Sequence, residues 1–470
     1  MLTVPPLPHF SELAQSFLDD RYRDPSGRAL LRYWQHQWCR YDSTVYVPLA
    51  TKDVEVAMRQ HIDRAYQQHA QRHHGYAKTV TTRLVQETIR ALEALPDVFV
   101  ESDVRPPAWL GGASPMQGDL IHAANALVEL PVVATAPNPL LTPWPLTPDY
   151  FSFNRLPGTL DPTLADPPRF VRFLQETFEG DRERIAFVQE WMGYLLLPDT
   201  SRHEMLWLLG EGRNGKSVLL DVITDMLGAS NVSTVPLDKL ASRFGVAPTE
   251  HKLANICADL GQGAIDTGVL KRFTGADGME IEAKYQDARS FRPTARVMVS
   301  VNTLPHLRDT TDGFWRRMRV LPFHRQVPLD EVDRQLTEKL RQERDQILLW
   351  AFIGLMRLRI HEFTHSQKMV EATRGYCEDS NPARNFLTSH YTADPAGVVV
   401  KETVYREYMQ WAHQNGHAVM PPHLFGSEVT RTFPAVRPTR ESSGARRYQY
   451  QGLTHTDRGI GAMGSEDDAA

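Results

Sequence analysis

One string, GEGRNGKS at residues 210–217, limits what this chain can fold into more than any other. It stands between an apolar run, Met205–Leu209, and a run of helical character, Val218–Leu227. A Gly-x-x-x-x-Gly-Lys-Ser loop needs that setting. Backbone N–H groups cradle an anion only where the chain turns tightly from a strand into a helix N-terminus. Gly210 and Gly215 permit the turn; Glu211, Gly212, Arg213 and Asn214 fill it, and Val218 follows it into the helix. Lys216 is spaced to reach the β- and γ-phosphates of ATP, and the Ser217 hydroxyl to ligate Mg²⁺. The alternative is a degenerate loop that binds nucleotide weakly or not at all.

Hydrolysis asks for more: a carboxylate on a neighbouring strand, a polar sensor near the γ-phosphate and an arginine to neutralise developing charge. Leu253–Leu260 reads as an apolar strand with Asp259 at its end, the place of a second Mg²⁺ ligand; the plainer role is a cap on the next loop. Arg296–Val301 is a strand ending in Asn302, a sensor by position, or else the start of an Asx-turn before Pro305. Gly313–Arg319 (GFWRRMR) offers Arg316 and Arg317 as fingers inserted into a neighbouring subunit's site. Between carboxylate and sensor, Met279–Ala283 and Arg289–Phe291 can pair as a hairpin with Lys284 near its tip. Such a cation can grip a single strand inside a ring, or simply sit solvated on the surface.

The chain's 470 residues exceed what one core supports, so two to four domains are expected. Charge is balanced, with 52 Lys and Arg against 57 Asp and Glu, so any basic surface must be local. The three cysteines are far apart, which points to a reducing compartment without disulfides or a zinc knuckle. Neither a signal peptide nor an apolar membrane span is legible, so the expectation is a cytoplasmic protein with no membrane partner.

Domain boundaries follow from composition. Residues 1–130 mix aromatic strands around Tyr33–Tyr46 with helical runs, an α+β accessory domain. Residues 131–168 hold ten prolines and read as an irregular connector. Helical spacing of Phe170, Phe173, Leu174 and Phe178, then of Phe187, Val188, Trp191 and Leu195, marks a collar over 169–202. Alternating strand and helix runs make 203–330 an α/β core, and 331–380 is a helical extension. A small unit, 381–453, ends in a tail, 454–470, with no core-forming residues.

These strings, in this order, resemble superfamily 3 helicases, in the phage and plasmid branch related to the poxvirus primase-helicase. The resemblance runs through GEGRNGKS, ANICADL, LKRFTGADGMEIEAKYQ and SVNTLPHLRDTTDGFWRRMRVLPF. It implies an AAA+-like P-loop ATPase core, preceded by the collar and followed by a winged-helix domain. It also implies a homo-hexameric ring that moves 3′ to 5′ on single-stranded DNA and unwinds duplex at replication initiation. ATP is then held by Lys216, Ser217 and Asp259, sensed by Asn302 and completed in trans by Arg316 or Arg317, with Lys284 on a pore hairpin. One departure is that Asp259 follows Ala258, where many relatives carry paired acids.

At the C-terminal end Val404–Gly416, Leu424–Phe433 and Arg446–Leu453 resemble the winged-helix module of such helicases, with Gly444–Tyr450 as a wing strand pair. Arg431, Arg437, Arg440, Arg446 and Arg447 stand against Glu441 alone, a phosphate-contacting patch or a solvated edge of a docking domain. Of the closely spaced acid pair and later histidine that a primase metal site needs, residues 1–110 offer only Glu101 and Asp103 before Arg105-Pro106-Pro107. No primase activity is therefore expected, and a replication or primase protein is an expected partner. His361–His365 (HEFTH) fits the zinc-protease string, but no third ligand follows at a useful spacing. The competing function is a ring-forming DNA-binding ATPase that remodels DNA or partners without unwinding. A P-loop kinase is disfavoured by the Asn302–Arg317 block.

Overall fold

The computed structural model describes residues 6–73, 78–112, 114, 118–131, 141–242, 244–258, 260, 265–281, 289–305, 312–441 and 446–456. The chain divides into two compact units, residues 1–303 with 321–366, and residues 304–320 with 367–470.

The first unit opens with α1 (Phe10–Arg21), β1 (Leu31–Trp34), β2 (Gln37–Tyr41), β3 (Tyr46–Leu49), α2 (Thr51–Arg72), α3 (Thr82–Glu93) and β4 (Phe99–Val100). Its sheet has the order β3-β2-β1-β4. Because side chains alternate across a strand, β2 feeds two cores. Trp38 joins Phe17, Met58, Ile62 and Leu92 beneath the helices, and Cys39 joins Trp34, Tyr46 and Phe151 on the other face.

Next, β5 (Ala108–Trp109), β6 (Leu120–His122), β7 (Leu127–Glu129), β8 (Thr142–Trp144) and β9 (Tyr150–Phe151) build two small sheets, β5-β9 and β6-β7-β8. The expected break at 130 therefore falls inside a sheet, and the proline-dense stretch is not wholly irregular. Pro143 is tolerated because β8 is an edge strand, where a missing N–H costs no ladder bond.

Two helices follow, α4 (Pro168–Thr177) and α5 (Arg182–Tyr194). Proline at the first turn suits α4, whose leading N–H groups have no partner within the helix. The buried Glu343 carboxylate supplies one from outside, accepting from Arg169 N and Phe170 N at 3.1 and 3.0 Å. Asp181 caps α5, accepting from Arg184 N at 3.1 Å.

The main sheet comprises β10 (Met205–Leu209), β11 (Val232–Ser233), β12 (Ala254–Cys257), β15 (Arg296–Val301) and β16 (Met318–Pro322), in the order β11-β12-β15-β10-β16. The pairs β10–β15, β12–β15 and β11–β12 are parallel. Met205–Leu208 and Val297–Val299 are all buried, which is why they read as unbroken apolar runs: a parallel sheet is covered on both faces. Around these strands lie α6 (Lys216–Leu227), α7 (Thr267–Thr274) and the antiparallel pair β13 (Met279–Ile281) and β14 (Arg289–Phe291). Lys284, expected at that hairpin's tip, lies outside the described residues.

After a short helix, α8 (Asp312–Trp315), and β16, the chain returns to the first unit with α9 (Leu336–Arg341) and α10 (Arg344–Ile360). The facing helices α5 and α10 meet backbone to backbone. A Cβ added at Gly193 would lie 2.3 Å from Leu355 N, and one at Gly354 would lie 2.1 Å from Gln189 O. A fully buried carboxylate, Glu190, locks this crossing by accepting from Arg357 Nε and Thr364 Oγ1, each at 2.7 Å.

The second unit contains α11 (Gln367–Ser380), α12 (Pro382–His390), β17 (Tyr391–Val400), α13 (Lys401–Gln414), α14 (Pro422–Thr432), β18 (Arg437–Arg440) and β19 (Tyr448–His455). Phe386, Leu387, Val404, Tyr408, Phe425 and Val429 form its core, beneath an antiparallel sheet ordered β17-β19-β18. The wing was expected within Gly444–Tyr450. It pairs Arg437–Arg440 with Tyr448–Gln451 instead, because Tyr450 is pulled into the core and drags the start of β19 with it. This strand runs to His455, past the expected end at 453; residues 457–470 lie outside the described residues.

Among the described residues, no helix is long and apolar enough to cross a membrane.

Candidate functional site

Leu209 lies in register with Val301, so the loop leaving β10 and the residue leaving β15 emerge side by side at the carboxyl edge of the sheet. This is where parallel α/β sheets bind ligands. Gly215, at φ 88° and ψ −4°, is the N-cap of α6 in a left-handed conformation that costs a residue with a Cβ. Its room is also taken: an added Cβ would stand 3.1 Å from Phe173 and 3.2 Å from Thr177 Oγ1, both on α4. At Gly212, by contrast, nothing lies within 4 Å of such an atom, which leaves the loop's outer face open for an approaching group.

Lys216 is buried, and its ammonium is ringed by oxygen. It donates to the Gly210 carbonyl, to Glu211 O at 3.1 Å, to Asn214 Oδ1 at 3.1 Å and to Asn302 Oδ1 at 3.5 Å. Burial holds its pKa below the usual lysine value. Among the described residues no carboxylate pairs with it, and the buried positive charge is dispersed over amide and carbonyl dipoles. Glu211 turns outward and accepts from Gln326 Nε2 at 2.8 Å.

These residues line a cavity of about 570 Å³, walled by Gly212–Val218 on one side and by Ala258, Leu260 and Ser300–Thr303 on the other. The site residues Arg213, Asn214, Lys216, Ser217, Val218 and Asn302 are thus brought together. Asp259 lies outside the described residues, but Ala258 and Leu260 on either side of it both face the cavity. A second cavity, of about 470 Å³, begins on the far side of the loop. Arg213, Gly215 and Val218 border both. Its apolar lining comes from Phe173, Val327, Val332 and Leu336. The sequence marked Phe173 only as a collar residue and the other three not at all, since this wall comes from packing between segments over a hundred residues apart.

In the second unit, Arg316 is exposed, whereas Arg317 is half-buried and bonded by its guanidinium to the Gly313 carbonyl. The five arginines expected to contact DNA separate into two groups. Arg431, on α14, is tied to the buried Glu428 at 2.9 Å, and Glu428 also accepts from Asn381 Nδ2 at 3.0 Å. Arg437, Arg440, Arg446 and Arg447 are exposed on the wing. Arg440 Cζ lies 5.3 Å and Lys401 Nζ 5.8 Å from the ring centre of Tyr448, itself 59% exposed. Lys401 was not foreseen as part of this patch; it opens a helix and reaches the wing only through the fold.

His361 ends α10 with extended backbone, so HEFTH does not place its histidines on one helical face. Glu362 is paired with Arg202. Among the described residues there is no group of three His, Cys, Asp or Glu side chains able to hold a metal ion.

The parallel α/β sheet and the order α12-β17-α13-α14-β18-β19 within the second unit define a mixed α/β chain carrying a winged-helix-like domain. Residues 380–457 match the RFX DNA-binding domain family, and residues 208–317 match a family of unknown function, DUF5906. "Putative helicase L207/L206" of Acanthamoeba polyphaga mimivirus is 24% identical over 292 residues, 54% of this chain and 29% of that protein. The likewise named 022R of Frog virus 3 (isolate Goorha) is 24% identical, over 53% of this chain and 28% of its own length. The chain thus spans under a third of these relatives. The apo structure of the NrS-1 C-terminal region (305–718) superposes with a TM-score of 0.51 at 11% identity, covering 95% of this chain and 99% of that one. The viral helicase-named relatives fit the resemblance to superfamily 3, poxvirus primase-helicase-like proteins that the motifs carry.

Proposed function

We propose that the chain is an ATP-dependent DNA helicase that acts as a homo-hexameric ring at replication initiation and travels 3′ to 5′ on single-stranded DNA. The observation that carries this reading is the seating of Lys216 beside Asn302, at the edge of a parallel sheet, in a cavity where no carboxylate among the described residues pairs with the buried cation. A group rich in negative oxygen atoms fits such a site, and ATP is the natural one. Gly212–Ser217 hold its phosphates, Ser217 and Asp259 hold Mg²⁺, and the second cavity takes the base. Bound Mg²⁺ neutralises charge on the phosphate oxygens and orients them. Lys216 leaves its ring of carbonyl oxygens for the phosphates. Asn302 holds the attacking water or the terminal phosphate, and the packed walls exclude bulk water.

Arg316 is the better trans residue, being exposed while Arg317 is bonded back to Gly313. Lys284, by the resemblance, and the wing arginines then supply the DNA contacts. The RFX match and the names of the viral relatives support DNA as the substrate.

A strand-displacement assay on a 3′-tailed duplex tests the proposal, with Lys216→Ala as control. Release of the strand by the parent alone is expected. ATP turnover without release at either tail polarity would replace unwinding by remodelling.

A further inference from the structure

We infer that Arg213 is a second cation for the nucleotide, set where the two cavities meet and directed at the phosphates nearest the sugar. The inference rests on the ATP reading and deepens it.

Charge accounting around the second cavity leads to this residue. Arg169, Arg172, Arg325 and Lys339 also line it, and each has a carboxylate within 4.0 Å: Glu343, Glu176, Glu331 and Asp333 respectively. Arg213 has no ion pair or side-chain hydrogen bond among the described residues, although it borders both cavities and is exposed. Every other cation of that wall is neutralised where it stands. An exposed guanidinium left without a carboxylate beside such a row is matched to an anion that arrives from solution, and its planar fork suits phosphate oxygens.

The backbone adds a separate argument. Arg213 has φ 61°, in the left-handed region that strains a side-chain-bearing residue and not glycine. Glycine stands at three other positions of this loop, so the strained residue is retained for its side chain. The conformation is fixed from outside, since the Arg213 carbonyl accepts from Val327 N at 2.8 Å. That bond also aims the residue: it secures the loop to the segment that walls the second cavity, leaving the guanidinium over the junction.

The test is equilibrium binding of the non-hydrolysable analogue AMP-PNP, by calorimetry at several salt concentrations, to the parent, Arg213→Gly, Arg213→Lys and Lys216→Ala. Arg213→Gly keeps the backbone conformation at no steric cost, so its melting temperature should equal or exceed the parent's. Any loss of binding then belongs to the guanidinium. Roughly tenfold weaker binding is expected for Arg213→Gly, with a shallower salt dependence, and an intermediate value for Arg213→Lys. If the parent binds and Arg213→Gly binds equally well with the same salt dependence, the role of Arg213 is refuted while the site stands. If the parent and Lys216→Ala both fail to bind, the ATP reading falls and this inference falls with it.

Discussion

Phe173 closes the space beneath Gly215. A methyl group placed on that glycine would lie 3.1 Å from the Phe173 ring, and the ring belongs to the helix that precedes the core rather than to the core itself. The collar and the nucleotide loop are therefore one packed object. A change in the loop's backbone must move Phe173, and a shift of α4 must press on the loop.

Gly215→Ala should accordingly be harmful twice over. Left-handed backbone and contact with two α4 side chains together predict a loss of about 1–3 kcal/mol in denaturant stability, with nucleotide binding lost as the loop shifts. Phe173→Leu in the same background trims the crowded ring and should restore part of the binding, measured by titration with AMP-PNP. An alanine variant as stable and as tight-binding as the parent would show the contact to be slack.

Asp225 should matter although it faces away from the cavity. Its carboxylate accepts from Arg344 Nη2 at 2.6 Å and Arg341 Nε at 3.1 Å, joining the helix that carries Lys216 to α9 and α10. The pair is partly exposed, which discounts its worth, so Asp225→Asn should cost about 1–2 kcal/mol in a urea melt. ATP turnover should fall through a raised KM, because the helix that opens with Lys216 loses a brace near its far end.

His122 gives the fold an acid-sensitive point. Burial pushes its pKa down to about 4, and Arg155 adds to the shift. The folded state thus refuses a proton that the unfolded chain accepts near the ordinary value of about 6.5. For a base with a depressed folded pKa, stability is full above the unfolded pKa and declines as pH falls towards the folded one. The loss should reach about 2 kcal/mol at pH 5. His122→Leu should flatten that part of the pH profile, read from melting temperatures at pH 7 and pH 5; an unchanged profile would place the acid sensitivity elsewhere.

DNA binding should depend on the wing and hardly on α14. Arg437→Ala with Arg440→Ala removes two exposed cations and should weaken duplex and single-strand binding alike, lowering the slope of log K against log salt by about 2. Arg431→Ala should change affinity less than twofold, since Glu428 already neutralises that charge. Fluorescence anisotropy over a salt series separates the two. Equal losses from both variants would return α14 to the binding surface.

What could be read from the sequence was whatever depends on neighbours along the chain. GEGRNGKS lies between a strand and a helix as its glycines and flanking apolar runs require, and the strand Arg296–Val301 ends at Asn302. Parallel strands buried on both faces must be apolar throughout, and that left a plain mark. The order of motifs carried the resemblance to superfamily 3 helicases, because order along the chain is what a sequence preserves. Only the tertiary structure set Asn302 beside Lys216 through the register of two strands, packed Phe173 under Gly215, tied Arg431 to Glu428 and left Arg213 without a carboxylate among the described residues. Each of these pairs two residues whose separation along the chain says nothing of their distance in space. Whether a charge is spent inside the protein or kept for a ligand follows from which groups packing brings within reach of it.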